Sequence, residues 1–334
     1  MRAWQIVSNR GIDGLTLAEC ASPQPGHGQV KVRIRASSIN YRDLGTVRDP
    51  ESRKLSYPRI PNSDGAGEIV AVGPGVGAFK SGDRVASCFF QRWTDGSCSA
   101  DAMASALGGA LDGVLAEEAV LSADGVVPIP DHLSFEEAAT LPCAALTAWH
   151  ALVEAARIKA GDAVLLIGTG GVSIFGLQFA TMMGARPIII SSSDDKLERA
   201  RTLGALHTIN YRKTPDWERA VLDITDGVGV DATVEVGGAG TLPRSIAATR
   251  VAGTISLIGV LSGGQIDPAQ FMRKSIKMQG IYVGSRRMFL DMNKAIGVNK
   301  LKPVIDKTFP FQDARAAYHT MQAAGHFGKL VIKV

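Results

Sequence analysis

Residues 163–173 read Ala163-Val164-Leu165-Leu166-Ile167-Gly168-Thr169-Gly170-Gly171-Val172-Ser173, and this stretch decides the fold. Unbroken apolar residues over Ala163–Ile167 suit a strand covered on both faces, as in a parallel sheet. The glycines that follow let the backbone turn sharply and leave room for a ligand beside it. Past the turn, Val172, Phe175, Phe179 and Met183 fall on one face of a helix. Strand, glycine turn and helix in that order aim unpaired amides at an anion, and Gly168, Thr169, Gly170 and Gly171 suit a dinucleotide pyrophosphate. Ser173 stands where the common pattern has its third glycine, which is expected to loosen the packing of helix on strand slightly.

Downstream, the alternation continues. Strands are expected at Pro187–Ile190, His207–Tyr211, Asp231–Val236 and Thr254–Val260, with helices at Asp195–Leu203, Pro215–Thr225 and Leu242–Thr249. Such a series implies a doubly wound parallel sheet. Upstream, the pattern is different. Val30, Val32, Ile34 and Ala36 alternate with Lys31, Arg33 and Arg35, and Gly73-Pro74-Gly75 and Ser81-Gly82-Asp83 punctuate short strands. A small barrel-like β domain fits them, with 87–118 as a long irregular loop. Ser134 with Glu137 three residues on is a capping box that opens a helix. After Gly284 the tail offers a helix, a strand near Val304–Phe309, a helix at Asp313–Ala324 and a last strand, Leu330–Val334.

Composition narrows the function. The 334 residues exceed one usual domain, and the net charge of +4 is spread among acids without a basic stripe for nucleic acid. No apolar run approaches a bilayer span, so no membrane role is expected. The four cysteines, Cys20, Cys88, Cys98 and Cys143, are too dispersed for a disulfide framework, and a cytoplasmic location is expected. The six histidines include no pair at helix-face metal spacing, and His150 is expected on a helix surface.

An NAD site places an acid about 20 residues past the first glycine, at the end of the second strand. Here that strand ends Ile190-Ser191-Ser192-Ser193, and Asp194 and Asp195 come later. Hydroxyls and the nearby Lys196 accept a 2′-phosphate that a carboxylate would repel, so NADP(H) is the expected cofactor. The plainer reading of Lys196 is an exposed lysine in a first helical turn.

Several blocks together carry a resemblance over nearly the whole chain. They are Ile39-Asn40-Tyr41-Arg42-Asp43, Ile60-Pro61-Asn62-Ser63-Asp64-Gly65-Ala66-Gly67, Gly82-Asp83-Arg84-Val85, Leu141-Pro142-Cys143-Ala144-Ala145-Leu146-Thr147-Ala148, the glycine turn, and Gly328-Lys329. The chain resembles the medium-chain dehydrogenase/reductase family, and within it the zinc-free quinone oxidoreductase-like branch. The resemblance implies an α/β protein: a GroES-like β-barrel domain from residues 1–143 and 284–334, with a Rossmann dinucleotide-binding domain, 144–283, inserted. It places the active site in the cleft between them. It also implies a homodimer formed through Rossmann sheet edges, for which Ile281–Val283 offers an apolar strand.

The zinc-dependent members hold a catalytic zinc on Cys, His and Cys, at positions that match Asn40, Ser63 and Cys143 here. An amide, a hydroxyl and one thiol are a poor ligand set, and Cys88 and Cys98 do not make the four-cysteine structural site, so no zinc is expected. Without metal, charge on the acceptor oxygen must meet hydrogen-bond donors. Asn40 and Tyr41 are the matched candidates, Tyr57 is a second possible donor, and Cys143 and Thr147 would flank the nicotinamide. Asp43 is expected to brace the loop through backbone amides.

For the cofactor, the resemblance matches Gly170, Gly171 and Val172 to the pyrophosphate, and Ser191, Ser192 and Lys196 to the 2′-phosphate. Tyr211 matches a residue flanking the adenosine phosphate, and Lys329 a basic residue reaching the pyrophosphate. Val236, Gly237, Ile258, Gly259 and Val260 stand at later strand ends, where the switch-point rule puts ligands. The leading expectation is hydride transfer between NADP(H) and a quinone, enone or similar small molecule, with Phe89, Phe90 and Trp93 as an aromatic wall. A metal-free alcohol dehydrogenase or ketone reductase, and a non-enzymatic NADPH-binding protein, are the alternatives.

Overall fold

The computed structural model describes residues 1–259 and 261–334, and the chain divides into two compact units. One joins Met1–Leu146 to Val283–Val334; the other is Thr147–Tyr282.

In the first unit the strands of the N-terminal segment are β1 (Arg2–Ile6), β2 (Leu15–Glu19), β3 (Gln29–Ile39), β4 (Asp64–Val72), β5 (Arg84–Ser87), β6 (Glu118–Ser122) and β7 (Val126–Pro128). β3 alternates as its sequence predicts: Val30, Val32 and Ile34 are buried while Arg33 and Arg35 face water. β3 pairs antiparallel with both β4 and β6, so it is the spine of this sheet. The stretch 87–118 carries only a short helix, Ala100–Met103, yet it is well packed. Gln91 donates from Nε2 to the carbonyls of Cys88 and Gly125, each at 2.9 Å. Phe89, Phe90 and Trp93, expected to wall a substrate, lie buried with exposures of 0, 1 and 6%. They are core, because Phe89 and Phe90 stack edge to face against each other instead of outward.

The second unit holds β8 (Ala163–Ile167), β9 (Arg186–Ser191), β10 (His207–Asn210), β11 (Val230–Glu235), β12 (Thr249–Leu257) and β13 (Lys277–Gly280). Their order is β10-β9-β8-β11-β12-β13, all parallel, which is a doubly wound sheet with its switch point between β8 and β11. Every residue of β8 is buried. β12 begins five residues before its expected start, at Thr249 rather than Thr254. The register with β11 jumps from Val230↔Thr249 to Ala232↔Thr254, so residues 250–253 form a bulge. Arg250 Nε fastens that bulge to Asp231 Oδ1 at 2.6 Å. The edge strand is Lys277–Gly280 rather than Ile281–Val283. Ile281 adds one bond to Leu257 O at 2.8 Å, and Val283, at φ 58°, then leaves the extended conformation. His150, expected on a helix surface, is buried at 8% exposure in a wide π-type turn, His150–Ala155.

The tail returns to the first unit as β14 (Ile305–Pro310) and β15 (Lys329–Lys333), joined by the helix Ala314–Gln322. β15 pairs antiparallel with β3, Leu330 opposite Ile39, and parallel with β14. Leu330 and Ile332 enter the cluster that contains Trp4, Ile39 and Tyr318. The last residues of the chain therefore complete the core begun by the first. Among the described residues no helix is long and apolar enough to cross a membrane.

Candidate active site

In the first unit, β3 ends at Ile39 and the next residue, Asn40, caps the helix Tyr41–Arg48. Asp43, fully buried, accepts from the Asn40 backbone N–H at 2.8 Å, as the brace expected of it. Arg42 Nη1 donates to its other oxygen at 3.1 Å. The Asn40 side chain is 7% exposed, and its Oδ1 accepts from the Lys329 ammonium. Lys329 Nζ also donates to Ile39 O at 2.9 Å. The antiparallel register explains the meeting: with Leu330 opposite Ile39, the first residue of β15 and the residue just after β3 are neighbours. Lys329 was expected at a cofactor pyrophosphate. In this structure its ammonium is buried, at 3% exposure, bonded to these two oxygens and close enough to Asp64 to lower its carboxyl.

Ser63 and Asp64 stand where the chain enters β4, both fully buried. Ser63 Oγ–H donates to Asp64 Oδ1 at 2.6 Å, and Cys143 N–H donates to Asp64 Oδ2 at 3.0 Å. Cys143 lies in a second π-type turn, Leu141–Ala145. Burial pushes the Asp64 carboxyl up to about 6, and Asp43 adds to the rise. Lys329, Ser63 and Asn40 pull the other way. The Cys143 thiol is held well above its ordinary value, first by burial and then by Asp64. Two residues passed over in the sequence hold this corner. Asn62, at φ 66°, donates from Nδ2 to Ser37 Oγ at 3.0 Å and accepts from Tyr318 O–H.

Tyr41 is 54% exposed at the first helical position, and Tyr57 is 41% exposed in the loop before β4. Partial burial and the carboxylates of Glu51 and Asp49 raise the Tyr57 hydroxyl above the ordinary tyrosine value.

This donor set does not fit a catalytic zinc. The amide oxygen is taken by an ammonium and the hydroxyl proton is given to Asp64, which leaves Cys143 as the one usual zinc ligand among the three, whereas zinc needs imidazole nitrogen, carboxylate or thiolate. Among the described residues no group of three His, Cys, Asp or Glu side chains could hold a metal ion. Cys88 is buried with its thiol pushed up to about 12, while Cys98 is exposed.

In the second unit, Gly168 takes φ 75° and Gly170 caps the helix Gly171–Met182. A methyl group built on Gly168 or Gly170 would meet nothing within 4 Å, so the turn faces open space. Thr169 is buried and Val172 partly so. Ser173 does not loosen the helix as expected: its buried hydroxyl donates to Ile167 O at 2.6 Å and ties helix to strand. The close approach falls one turn later, at Gly176, where an added Cβ would stand 2.8 Å from Leu166 Cδ2.

Ser191 ends β9, and Ser193 caps the helix Asp194–Thr202 with Lys196 in its first turn. Asp194, the first acid after the strand, is drawn aside, Oδ2 to Lys213 Nζ at 2.6 Å and Oδ1 to Asn210 Nδ2 at 2.8 Å. Tyr211 N–H donates to Ser191 O at 3.0 Å, and its side chain is exposed. Val236 and Gly237 follow β11, and Ile258 and Gly259 follow β12; Val260 lies outside the described residues. A Cβ on Gly259 would fall 1.6 Å from Val236 O, so only glycine allows these two strand ends to meet. Glu235, unremarked in the sequence, is fully buried and organises the turn. It accepts from Gly237 N at 2.7 Å, Gly238 N at 3.1 Å, Thr241 Oγ1 at 2.6 Å and Ser245 Oγ. Thr147 is buried at 3% exposure in this unit.

The structure thus gathers Asn40, Cys143 and Lys329 around Asp64 in one unit. It sets the glycine turn and the strand ends of β8, β9, β11 and β12 at one edge of the sheet in the other.

Residues 26–131 match the alcohol dehydrogenase GroES-like domain, and residues 171–297 match the zinc-binding dehydrogenase family. A zinc-type alcohol dehydrogenase-like protein of Schizosaccharomyces pombe is 45% identical over 97% of this chain and 96% of its own length. The chain belongs to the medium-chain dehydrogenase/reductase family. Mouse quinone oxidoreductase is 27% identical, covering 99% of this chain and 97% of that protein. A solved NAD-dependent alcohol dehydrogenase, 34% identical, superposes with a TM-score of 0.92 over all of both chains. A mycobacterial relative solved with NADPH, 26% identical, has a TM-score of 0.84 over all of both chains. The chain is an oxidoreductase of this family.

Proposed function

We propose that this chain is a zinc-independent, NADP(H)-dependent reductase of a quinone, an enone or a similar activated double bond. The observation that carries the reading is the donor set at Asn40, Ser63 and Cys143, which offers hydrogen bonds where zinc-dependent relatives hold a metal. Bound reduced nicotinamide supplies a hydride. The acceptor gains that hydride at carbon, or at a quinone oxygen, while its π electrons move to an oxygen that takes a proton. NADPH, acceptor and one proton give NADP⁺ and the reduced acceptor.

Asn40 Nδ2–H donates to the oxygen on which charge collects, and Tyr41 supplies the proton. Ser191, Ser192, Tyr211 and Lys196 take the 2′-phosphate. The capture of Asp194 by Lys213 and Asn210 supports this preference, since it draws the nearest carboxylate aside. Two chains pair through the edge formed by β13 and the residues just past it, where Met278 and Tyr282 are each 44% exposed.

A panel of quinones, enones, aldehydes and ketones, followed by loss of NADPH absorbance in metal-free buffer, tests the reading. Turnover confined to ketones and aldehydes would favour the metal-free alcohol dehydrogenase, and tight NADPH binding without turnover the non-enzymatic protein. One zinc per chain in the purified protein would refute zinc independence. Lys196→Ala is expected to weaken NADPH about tenfold and NADH little; equal losses would remove Lys196 from the 2′-phosphate site.

A further inference from the structure

We infer that Lys329 is a positioning residue: its ammonium fixes the Asn40 carboxamide with the oxygen turned inward and Nδ2 left for the acceptor oxygen. The inference rests on the proposed role of Asn40 as a donor. A carboxamide has two ends of nearly equal size, and its orientation is set by what each end meets. Asn40 Oδ1 meets the Lys329 ammonium, which only donates. A half-turn of the amide would bring N–H groups against N–H groups and forfeit a charge-assisted bond. The backbone is fixed from the other side, by Asp43 accepting from Asn40 N–H at 2.8 Å. Nδ2 then makes no hydrogen bond of normal geometry among the described residues, and it lies on the side of Asp64, whose carboxyl the Asn40 side chain helps hold down.

The position of the lysine supports the same conclusion. Pairing of β15 with β3 is carried by Leu330, Val331, Ile332 and Lys333, so sheet formation does not require a cation at 329. Burying an ammonium is costly unless its bonds are met. Here the bonds go to Ile39 O and Asn40 Oδ1, the last residue of β3 and the first capping position after it. The cation thus holds the oxygen of this amide while it lowers the Asp64 carboxyl beside it.

Two variants of the full chain separate this role from cofactor binding. Lys329→Met should lower kcat with the best acceptor about tenfold, through a donor free to turn away, and leave the NADPH dissociation constant within twofold. Asn40→Asp retains a partner for the ammonium but loses the donor, and should lower kcat at least as far. The double variant should be no worse than Asn40→Asp alone, as expected of two residues acting through one group. Loss of NADPH affinity in Lys329→Met with kcat intact would overturn the inference in favour of a phosphate contact.

Should Lys329→Met fail to fold, Asn40→Asp decides: unchanged kcat there overturns both the donor and its positioning. A readout without turnover covers a protein that reduces none of the acceptors. The Asn40 carboxamide ¹⁵N–¹H signals, assigned by their loss in Asn40→Asp, should broaden or shift in Lys329→Met. Unmoved signals would overturn the inference even if the reductase reading had failed separately.

Discussion

Tyr41 and Asp64 show how two residues of one small site are set to different tasks. Tyr41 is exposed at the start of its helix and free to meet a ligand, whereas Asp64 is sealed among Ser63, Cys143 and Lys329. Tyr41→Phe is expected to lower turnover several-fold with NADPH affinity unchanged; an unaltered rate would leave the ring as packing alone. Asp64 has a consequence for stability. Its folded-state pKa of about 6 lies above the ordinary 3.8, so the folded chain holds this proton more tightly than the unfolded chain. Stability from this group is therefore greatest at low pH, falls as pH rises from about 4 to about 6, and is level above that, a total of about 2–3 kcal/mol. Urea unfolding of Asp64→Asn should lack that descending segment, and superimposable pH profiles would refute it. Neither Asp64 nor Glu235 stood out in the sequence, because a lone acid at a strand end looks the same whether exposed or buried. Asn40 and Cys143 could be read from their motifs, but Lys329 pointing at Asn40 could not, since that depends on a strand register almost three hundred residues apart.

Elements tell a more legible story. The run Ala163–Ile167 and the helix behind its glycine turn are where periodicity placed them, because burial on two faces and the 3.6-residue repeat leave a direct trace in composition. What periodicity missed depends on backbone detail: the bulge at 250–253, the π-type turns around Cys143 and His150, and the end of the β13 edge at Val283. Ser173 is the instructive case. Read as a defective glycine, it is a tether between Ile167 O and the first turn of the helix, with Gly176 providing the close approach. Ser173→Ala should cost about 1–2 kcal/mol by leaving a buried carbonyl short of a partner. Ser173→Gly, which restores the common pattern, should cost more, because glycine adds its own helix penalty of about 1 kcal/mol. Denaturant midpoints of the two variants check the order, and a more stable glycine variant would contradict it.

At the scale of the molecule, the two units differ in how their sequence is assembled. Thr147–Tyr282 is one continuous segment, whereas the other unit needs both ends of the chain, with β15 seated between β14 and the N-terminal β3. A ribosome delivers the chain from one end only. The parallel-sheet unit can close as soon as Tyr282 emerges, while the earlier-made first 146 residues wait with the flank of β3 bare until Lys329–Lys333 is released. A chain stopped at residue 326 should therefore hold a protease-resistant core near 147–282 and a digestible N-terminal segment, and the full chain should resist throughout. Equal resistance of both segments in the shortened chain would show that the N-terminal part folds unaided. The unit that carries Asn40 thus becomes whole only once β15 has been made, so every residue between β3 and β15 is synthesised while that sheet is still open.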